Sequence, residues 1–144
     1  MMNEYPQKLK DIAETLLSLP EQDRIEMLID FASKYKVVPE EIAAPPYPED
    51  HKALMCESNA YVWSTLDPSN KINFHFAVEN PQGLSARAFV VILQLTLNGE
   101  PPALIRNIPD DIITKIFSES LSMRKNMGLT SILQKVREEA KKYI

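Results

Sequence analysis

The residue of this 144-residue chain best suited to chemistry is its only cysteine, Cys56. A cysteine can act as a nucleophile, a sulfur acceptor or a metal ligand, or it can pack inertly, and a single copy cannot form an internal disulfide. Zinc and iron–sulfur sites want three or four ligands, and the cysteines and histidines available here are Cys56, His51 and His75. We therefore expect no metal site. Thiol chemistry and inert packing remain, and a lone cysteine beside apolar residues is more often inert.

Two histidines and three acids could influence this thiol. His51 could hydrogen-bond it from five residues upstream, but a surface histidine in an acidic loop is the stronger interpretation. A cysteine–histidine hydrolase using His75 is weaker still, since no orienting acid or oxyanion-hole motif is evident. The carboxylates of Glu49, Asp50 and Glu57 would raise the thiol pKa if they lie close to it. The isolated protein is therefore not expected to be strongly nucleophilic.

The composition describes an ordinary globular chain forming a single domain over residues 1–144. The formal net charge of −4 offers no general attraction to nucleic acid or to anionic lipid. No apolar run approaches the roughly 20 residues of a membrane helix, and the first ten residues lack the apolar segment of a signal peptide. We expect a cytoplasmic protein that binds neither nucleic acid nor membrane, and a lone thiol agrees with a reducing compartment.

Helical periodicity predicts two antiparallel N-terminal helices. The first spans residues 5–17 and ends near Ser18. Ser18 and Glu21 are spaced as a capping box for the second, which closes near Tyr35. The predicted buried face of the second helix comprises Ile25, Leu28, Ile29 and Ala32.

A long loop and a hairpin follow. Residues 39–52 are rich in proline and acids and predict an extended loop that delivers the chain to Cys56. Residues 61–66 and 71–79 flank the turn signal Asp67-Pro68-Ser69-Asn70 and predict a β-hairpin with one buried face. Trp63 is expected to pack in the core. Leu54 and Met55 are expected to tuck the loop against the sheet and to shield the thiol.

The C-terminal half predicts helices. Residues 86–97 fit either a buried strand or a helix, and their length, the possible cap Ser85 and Gly99 favour a helix. Two short helices begin near Pro101 and Pro109. A last helix carries an apolar stripe: Leu129, Ile132, Leu133, Val136, Ala140 and Tyr143. The expected class is α+β, a small antiparallel sheet (hairpin 61–79, with or without a short third strand) covered by N- and C-terminal helices.

Three segments together resemble the SufE family, the sulfur-acceptor proteins of iron–sulfur cluster assembly. Met55-Cys56-Glu57-Ser58, followed by Tyr61-Val62-Trp63, is similar to the family's Gly-Cys-x-Ser-x-Val-Trp segment, with Met55 in place of the glycine. Residues 88–93 match the family helix Gly-Leu-x-Ala-Leu-Leu, with Ala88 in place of its glycine. Residues 121–129 approach Leu-Ser-x-x-Arg-x-x-Gly-Leu, with Lys125 at the basic position and Arg124 one residue earlier. The family's Asp-Ser-Asp turn is replaced by residues 79–82, as in a divergent member.

The resemblance implies a SufE/IscU-like fold and a function in sulfur transfer. Cys56 would accept persulfide sulfur from a SufS-like cysteine desulfurase, stimulate that enzyme and pass the sulfur to a SufBCD-like scaffold. The protein would then be a carrier and not an enzyme, with pyridoxal phosphate on the partner only. It would act as a monomer or a homodimer. Partner-contacting candidates are Met55, Glu57, Ser58, Arg124 and Lys125, although a basic pair at a helix start is usually just solvated. The alternative is an adaptor of the same fold that binds a desulfurase or another protein without carrying sulfur.

Overall fold

The computed structural model of the protein describes residues 5–118 and 121–144. These residues form, in order, α1 (Gln7–Ser18), α2 (Glu21–Ser33), a 3-10 turn (Glu49–His51), β1 (Ala60–Leu66), β2 (Ile72–Val78), α3 (Leu84–Leu97), α4 (Pro102–Ile105), α5 (Ile112–Phe117) and α6 (Met123–Lys141). The α+β class is confirmed. Across the two described ranges, no helix combines the length and apolar character that a membrane span requires.

Strands β1 and β2 form the predicted antiparallel hairpin, in a register that pairs Ala60 with Val78 and Leu66 with Ile72. The connecting turn is closed by Asp67, whose carboxylate accepts hydrogen bonds from the amides of Ser69 at 2.8 Å and Lys71 at 3.0 Å. In the described part of the chain the sheet has these two strands. The short third strand is replaced by isolated bridges of Lys52 with Tyr61 and of Ile72 with Glu100.

One face of the hairpin packs on helices α3 and α6 and forms the main core. The alternation in β2 places Ile72, Phe74, Phe76 and Val78 on this face, as predicted. Residues 84–97 are helical, and their apolar side chains are buried on most sides of α3. A helix that is apolar nearly all round belongs in a protein interior, which explains why periodicity alone left its type open.

The opposite face of the hairpin is covered by the long loop and not by a helix. Val38, Tyr61, Trp63 and Ala77 are buried there beneath Ile42, Ala43 and Tyr47. Trp63 is buried as expected, but in this second cluster, where its ring lies 5.2 Å from that of Tyr47 and 5.4 Å from that of His51. The loop therefore serves as the outer layer of the sheet.

The N-terminal helices pack mainly on other elements and not on one another: α1 lies mainly on α5 and α2 mainly on α3. The predicted buried face of α2 is confirmed at Ala32, and Leu28 packs partly buried against the core. It is wrong at Ile25 and Ile29, which are exposed, while Phe31 is buried instead. Arg24 explains the rotation of α2. Its guanidinium donates to the carbonyls of Leu16 at 3.0 Å and Leu17 at 3.4 Å, which fixes the face that α2 turns towards α1.

Both predicted serine caps are also wrong. Ser18 remains within α1 and donates its hydroxyl to the Thr15 carbonyl at 2.8 Å, so it cannot cap α2, which follows Pro20. Helix α3 begins one residue before Ser85 and has Gly83 at its N-cap position, without a side-chain cap. The side-chain cap present at this end of the molecule is Ser122, which accepts from the Lys125 amide at the start of α6.

Helix α6 buries the predicted stripe, and its C-terminal part is tied to β1 by a buried carboxylate. Glu139 accepts a 2.7 Å hydrogen bond from the Ser64 hydroxyl and is paired with Lys142. Hydrogen bonding to Glu139 raises the pKa of Lys142 above its ordinary value. Tyr143, just past the helix, donates to the Ser64 carbonyl at 3.1 Å. These contacts set the position of α6 beneath the Cys56 segment.

Candidate functional site

Cys56 lies at the tip of a short loop whose two ends are hydrogen-bonded together. The amide of Ala53 donates to the carbonyl of Ala60 at 2.8 Å, and Lys52 bridges to Tyr61 directly beyond. Asn59 closes the turn with a φ of 53° and donates its amide to the Cys56 carbonyl at 3.2 Å. Asparagine is among the residues that most readily adopt this left-handed conformation. Residues 53–60, which we term the Cys56 loop, thus form a loop that is closed by hydrogen bonds at its base and leads into β1.

The Cys56 loop rests on helix α6 at Gly128. A β-carbon at position 128 would lie 3.4 Å from both the Cys56 Cα and the Met55 carbonyl oxygen. The loop can therefore approach the helix axis more closely than most side chains would allow. The amide of Met55 donates to the Ser131 hydroxyl at 3.3 Å, and that hydroxyl donates to the Gly128 carbonyl at 2.7 Å. Contact with α6 thus fixes the backbone on the N-terminal side of the thiol.

The Cys56 side chain is shielded, with 9% of the residue exposed. Burial raises the pKa of the Cys56 thiol above its ordinary value, and the carboxylate of Glu57 raises it further. The amide and hydroxyl of Ser58 and the amide of Ala60 donate hydrogen bonds to the sulfur, which lower the pKa, but burial is the largest influence. At neutral pH the resting side chain is consequently a protonated thiol, held by donors that would favour an anion.

A cavity of about 270 Å³ opens beside Cys56. Its walls come from the Cys56 loop, the residues before α3 and the first turns of α3 and α6: Cys56, Glu57, Ser58, Asn80, Gln82, Gly83, Leu84, Ser85, Ala86, Arg124, Lys125, Gly128 and Leu129. Gly83 has no side chain and so leaves room for Ser58 beside the cavity. A β-carbon there would lie 2.5 Å from the Ser58 hydroxyl and 2.9 Å from its β-carbon, so a side chain at this position would displace Ser58.

The predicted partner-contacting residues all lie on or beside the Cys56 loop. Glu57 and Arg124 are exposed and form an ion pair at 3.3 Å across the mouth of the cavity. Ser58 and Lys125 line the same cavity. Met55 is 52% exposed on the other side of the loop. The structure therefore places three residues of the loop and two of α6 around the Cys56 loop, although the two groups are far apart in sequence.

Leu54 and Met55 do not tuck the loop against the sheet, and that prediction is wrong. Leu54 is 83% exposed and Met55 is 52% exposed. The interior side of the loop is occupied instead by Ala53 and Cys56, which are both buried. The tight turn from Cys56 to Asn59 leaves room for these small side chains and turns the two large ones outward. The thiol is shielded by its own inward orientation and by α6.

His51 is neither a surface residue nor a partner of the thiol. Its Nδ1 lies 2.8 Å from the Val62 carbonyl and 3.9 Å from the Glu139 carboxylate, and its ring stacks on Trp63. It anchors the start of the loop to the outer face of the sheet. His75 pairs across the hairpin with Trp63, and burial lowers the pKa of its imidazole.

The predicted influence of the nearby acids on the thiol is confirmed for Glu57. Glu49 instead raises the pKa of Tyr61, together with burial, which is the larger effect. Over residues 5–118 and 121–144, no group of three or more His, Cys, Asp or Glu side chains is arranged to hold a metal ion.

Two contributors to the site, Gly83 and Gly128, were not recognised as such from the sequence. A glycine inside a predicted helix is a signal of close backbone approach, and Gly128 stands in the middle of α6. In neither case does the sequence reveal which backbone comes close, since that depends on how α3, α6 and the loop meet.

Comparison with known proteins gives matches over nearly the whole chain. The family model described as "SufE: Fe-S metabolism associated domain" matches residues 10–140. Proteins of two Mycobacterium tuberculosis strains, each called an uncharacterized SufE-like protein, are 24% identical over 136 residues, covering 92% of this chain and 90% of theirs. A Plasmodium vivax protein called cysteine desulfuration protein SufE is 32% identical over 94 residues, covering 65% of this chain and 39% of that longer protein.

The fold also matches a solved structure. The solution structure of a hypothetical protein from Thermus thermophilus superimposes with a TM-score of 0.74, covering 96% of this chain and 97% of that one, at 24% sequence identity. The arrangement of hairpin and helices described above therefore occurs in a protein of quite different sequence.

Proposed function

We propose that this chain, which belongs to the SufE family, accepts persulfide sulfur from a cysteine desulfurase on Cys56 and passes it on for iron–sulfur cluster assembly. The observation that carries the proposal is the setting of Cys56. The chain's one thiol stands at the tip of a closed loop, borders a cavity, and receives hydrogen bonds suited to a sulfur anion. Inert core packing would require none of these features.

The proposed chemistry is an exchange between two sulfurs. The Cys56 thiolate attacks the outer sulfur of the partner's persulfide. A new sulfur–sulfur bond forms on Cys56 while the corresponding bond in the partner breaks, and the electron pair leaves on the partner's cysteine sulfur. A nucleophilic sulfur of the recipient later attacks the outer sulfur on Cys56 in the same manner, which regenerates the thiolate.

Within the site, this chain holds the Cys56 sulfur in place and donates hydrogen bonds to it. The Ser58 hydroxyl and the amides of Ser58 and Ala60 stabilise negative charge on the Cys56 sulfur. Because burial favours the protonated thiol at rest, activation depends on the partner: docking must move the loop outward or supply positive charge nearby. The cavity of about 270 Å³ provides space next to the sulfur for the additional atom.

The assignment implies a division of roles among proteins. The donor is a SufS-like desulfurase that carries its own pyridoxal phosphate, and the recipient is a SufBCD-like scaffold. This chain is a carrier that stimulates the donor by removing its persulfide, without a cofactor of its own. The expected setting is the cytoplasm.

A direct test uses intact-mass spectrometry after incubation with a cognate desulfurase and free cysteine. Wild-type protein should gain one sulfur atom and stimulate desulfurase turnover, and Cys56→Ser should do neither. Leu95→Asn, a solvent-exposed change on α3 that retains the thiol, is the matched control and should still gain sulfur. A serine variant that stimulates as well as wild type would overturn the carrier function.

That same outcome would favour the adaptor, a protein of this fold that docks on a desulfurase without carrying sulfur. The raised pKa of the buried thiol is the observation in its favour. Binding with unchanged affinity by Cys56→Ser, together with absence of sulfur on wild type, identifies an adaptor.

A further inference from the structure

Exposed apolar side chains are concentrated around Cys56. The described part of the chain has twelve exposed large apolar residues, and four of them belong to the Cys56 loop or line the two cavities beside it: Leu54, Met55, Leu84 and Met127. Met123 and Met127 are four residues apart on α6 and so share a face of the helix. Large apolar side chains grouped on a surface mark binding sites more often than single ones do.

A wide groove lies immediately beside the loop, on the side away from the thiol cavity. It has a volume of about 670 Å³, and Leu54, Met55 and Met127 form its apolar portion. The helix α6 residues Asn126, Thr130, Ser131 and Gln134 complete the floor. The Cys56 loop thus forms a ridge between this groove and the cavity that borders the thiol.

The ionic side chains that line this groove are paired within the chain. Of the groove's ionic side chains, Asp110 pairs with Arg137 at 2.8 Å and Lys135 pairs with Glu138 at 3.5 Å. Arg124, on the other side of the ridge, pairs with Glu57. A surface whose charges are internally paired gives little electrostatic attraction to a charged partner. What it offers instead is apolar area, and methionines adapt readily to the shape of a partner.

We infer that this groove and its apolar rim (Leu54, Met55 and Met127) form the docking surface for the sulfur-donating protein, which presents an apolar surface around its own reactive sulfur. The inference rests on the proposed function and identifies where its affinity resides. Sulfur exchange requires the two sulfurs to come within roughly 3 to 3.5 Å. Residues next to Cys56 on the loop must then be covered by whatever delivers the sulfur, and the groove is continuous with them.

Apolar docking has two measurable consequences. Replacing Leu54 by Asn should weaken binding of a cognate cysteine desulfurase about tenfold or more, because most of that side chain passes from water into the contact. Affinity of the wild-type protein should change less than about threefold when ionic strength rises from about 0.05 to about 0.5 M, since screening acts on exposed charges. Binding can be followed by calorimetry with both purified proteins.

Leu95→Asn is the matched control, because Leu95 is 52% exposed near the far end of α3 from the cavity. It should bind like wild type. Met127→Gln provides a second variant on the groove and should weaken binding as Leu54→Asn does. Thermal melts of all three variants should match wild type, because each replaced side chain faces solvent.

The outcomes separate this inference from the carrier function. Unchanged affinity of Leu54→Asn and Met127→Gln, or a strong loss of wild-type affinity with salt, overturns apolar docking even if Cys56 gains sulfur. Weakened binding by the rim variants, with no sulfur on wild-type Cys56, supports the docking surface and overturns the carrier. Absence of any binding by wild type overturns both.

Discussion

The Cα atom of Cys56 lies 3.4 Å from the point that a β-carbon on Gly128 would occupy. The Cys56 loop and helix α6 thus meet where α6 has no side chain, and this contact holds the thiol facing inward. The two residues are far apart in the sequence, and the hydrogen bonds from Met55 to Ser131 and from Ser131 to Gly128 join their backbones beside the contact.

A small and a large side chain at position 128 should therefore affect the Cys56 loop differently. Gly128→Ala places its methyl group at the short end of ordinary contact and removes a helical glycine, so the free energy of unfolding should rise by up to about 1 kcal/mol. Gly128→Leu cannot fit beneath the loop and should push it outward, which makes Cys56 alkylate faster. Denaturant melts and the rate of iodoacetamide modification measure the two effects. Equal alkylation rates in both variants would show that Gly128 does not hold the loop.

Two residues beside the thiol should shift the Cys56 pKa in opposite directions when they are replaced. Ser58→Ala removes a donor that lowers the Cys56 pKa, so alkylation at fixed pH should slow by about two- to tenfold. Glu57→Gln removes a carboxylate that raises this pKa, so alkylation should accelerate.

The full pH profile of alkylation provides the reference for both variants. Because burial raises the Cys56 pKa, the wild-type rate should reach its midpoint at higher pH than that of a small-molecule thiol. A wild-type midpoint at or below that of the free thiol would contradict the shielded site. Shifts of the same sign in both variants would contradict the assigned contacts.

Removal of the tryptophan beneath the long loop should be costly. Trp63 packs between Tyr47, His51 and Tyr61, so Trp63→Ala should lower the free energy of unfolding by about 3 to 5 kcal/mol. Lys71→Ala, at the start of β2, should change it by less than about 0.5 kcal/mol. Unfolding should be followed by circular dichroism, because Trp63 is the chain's only tryptophan and its removal leaves no tryptophan fluorescence to follow. Similar small losses for both variants would mean that the outer layer contributes little to stability.

Partner binding should alter hydrogen exchange within the Cys56 loop. If docking swings the tip outward, amides of residues 54–59 should exchange faster in the complex, whereas the Ala53 amide should stay protected by the Ala60 carbonyl. The amide of Phe74, bonded to the Asn98 side chain at 2.7 Å, is the core reference. Loss of protection at Ala53 would place the hinge outside the loop, and an unchanged loop would exclude outward movement.

Local patterns were sufficient to predict the hairpin, the last helix and the class of the fold. The alternation of Ile72, Phe74, Phe76 and Val78 has the period of a strand with one buried face, and the Asp67 turn chemistry is contained within five residues. The sequence also singled out Cys56, because it is the only thiol, and the motif around it indicated the family that the comparisons then identified.

Where a helix had several possible buried faces or capping residues, only tertiary contacts determined which one the fold uses. Helix α2 has apolar residues on two overlapping faces, and the bonds of Arg24 to α1 select the one with Phe31. Leu54 and Met55 are apolar and were expected inside, yet the turn closed by Asn59 leaves room inward for Ala53 and Cys56.

The thiol's environment was predicted from the sequence only in part, through the carboxylate of Glu57. Burial, the hydrogen bonds from Ser58 and Ala60, and the carboxylate of Glu57 set the pKa of Cys56, and the burial arises where the loop, α3 and α6 converge. Periodicity reports which residues share a face of one element. It does not report which element lies opposite, and the exposure and charge of a side chain depend on that partner.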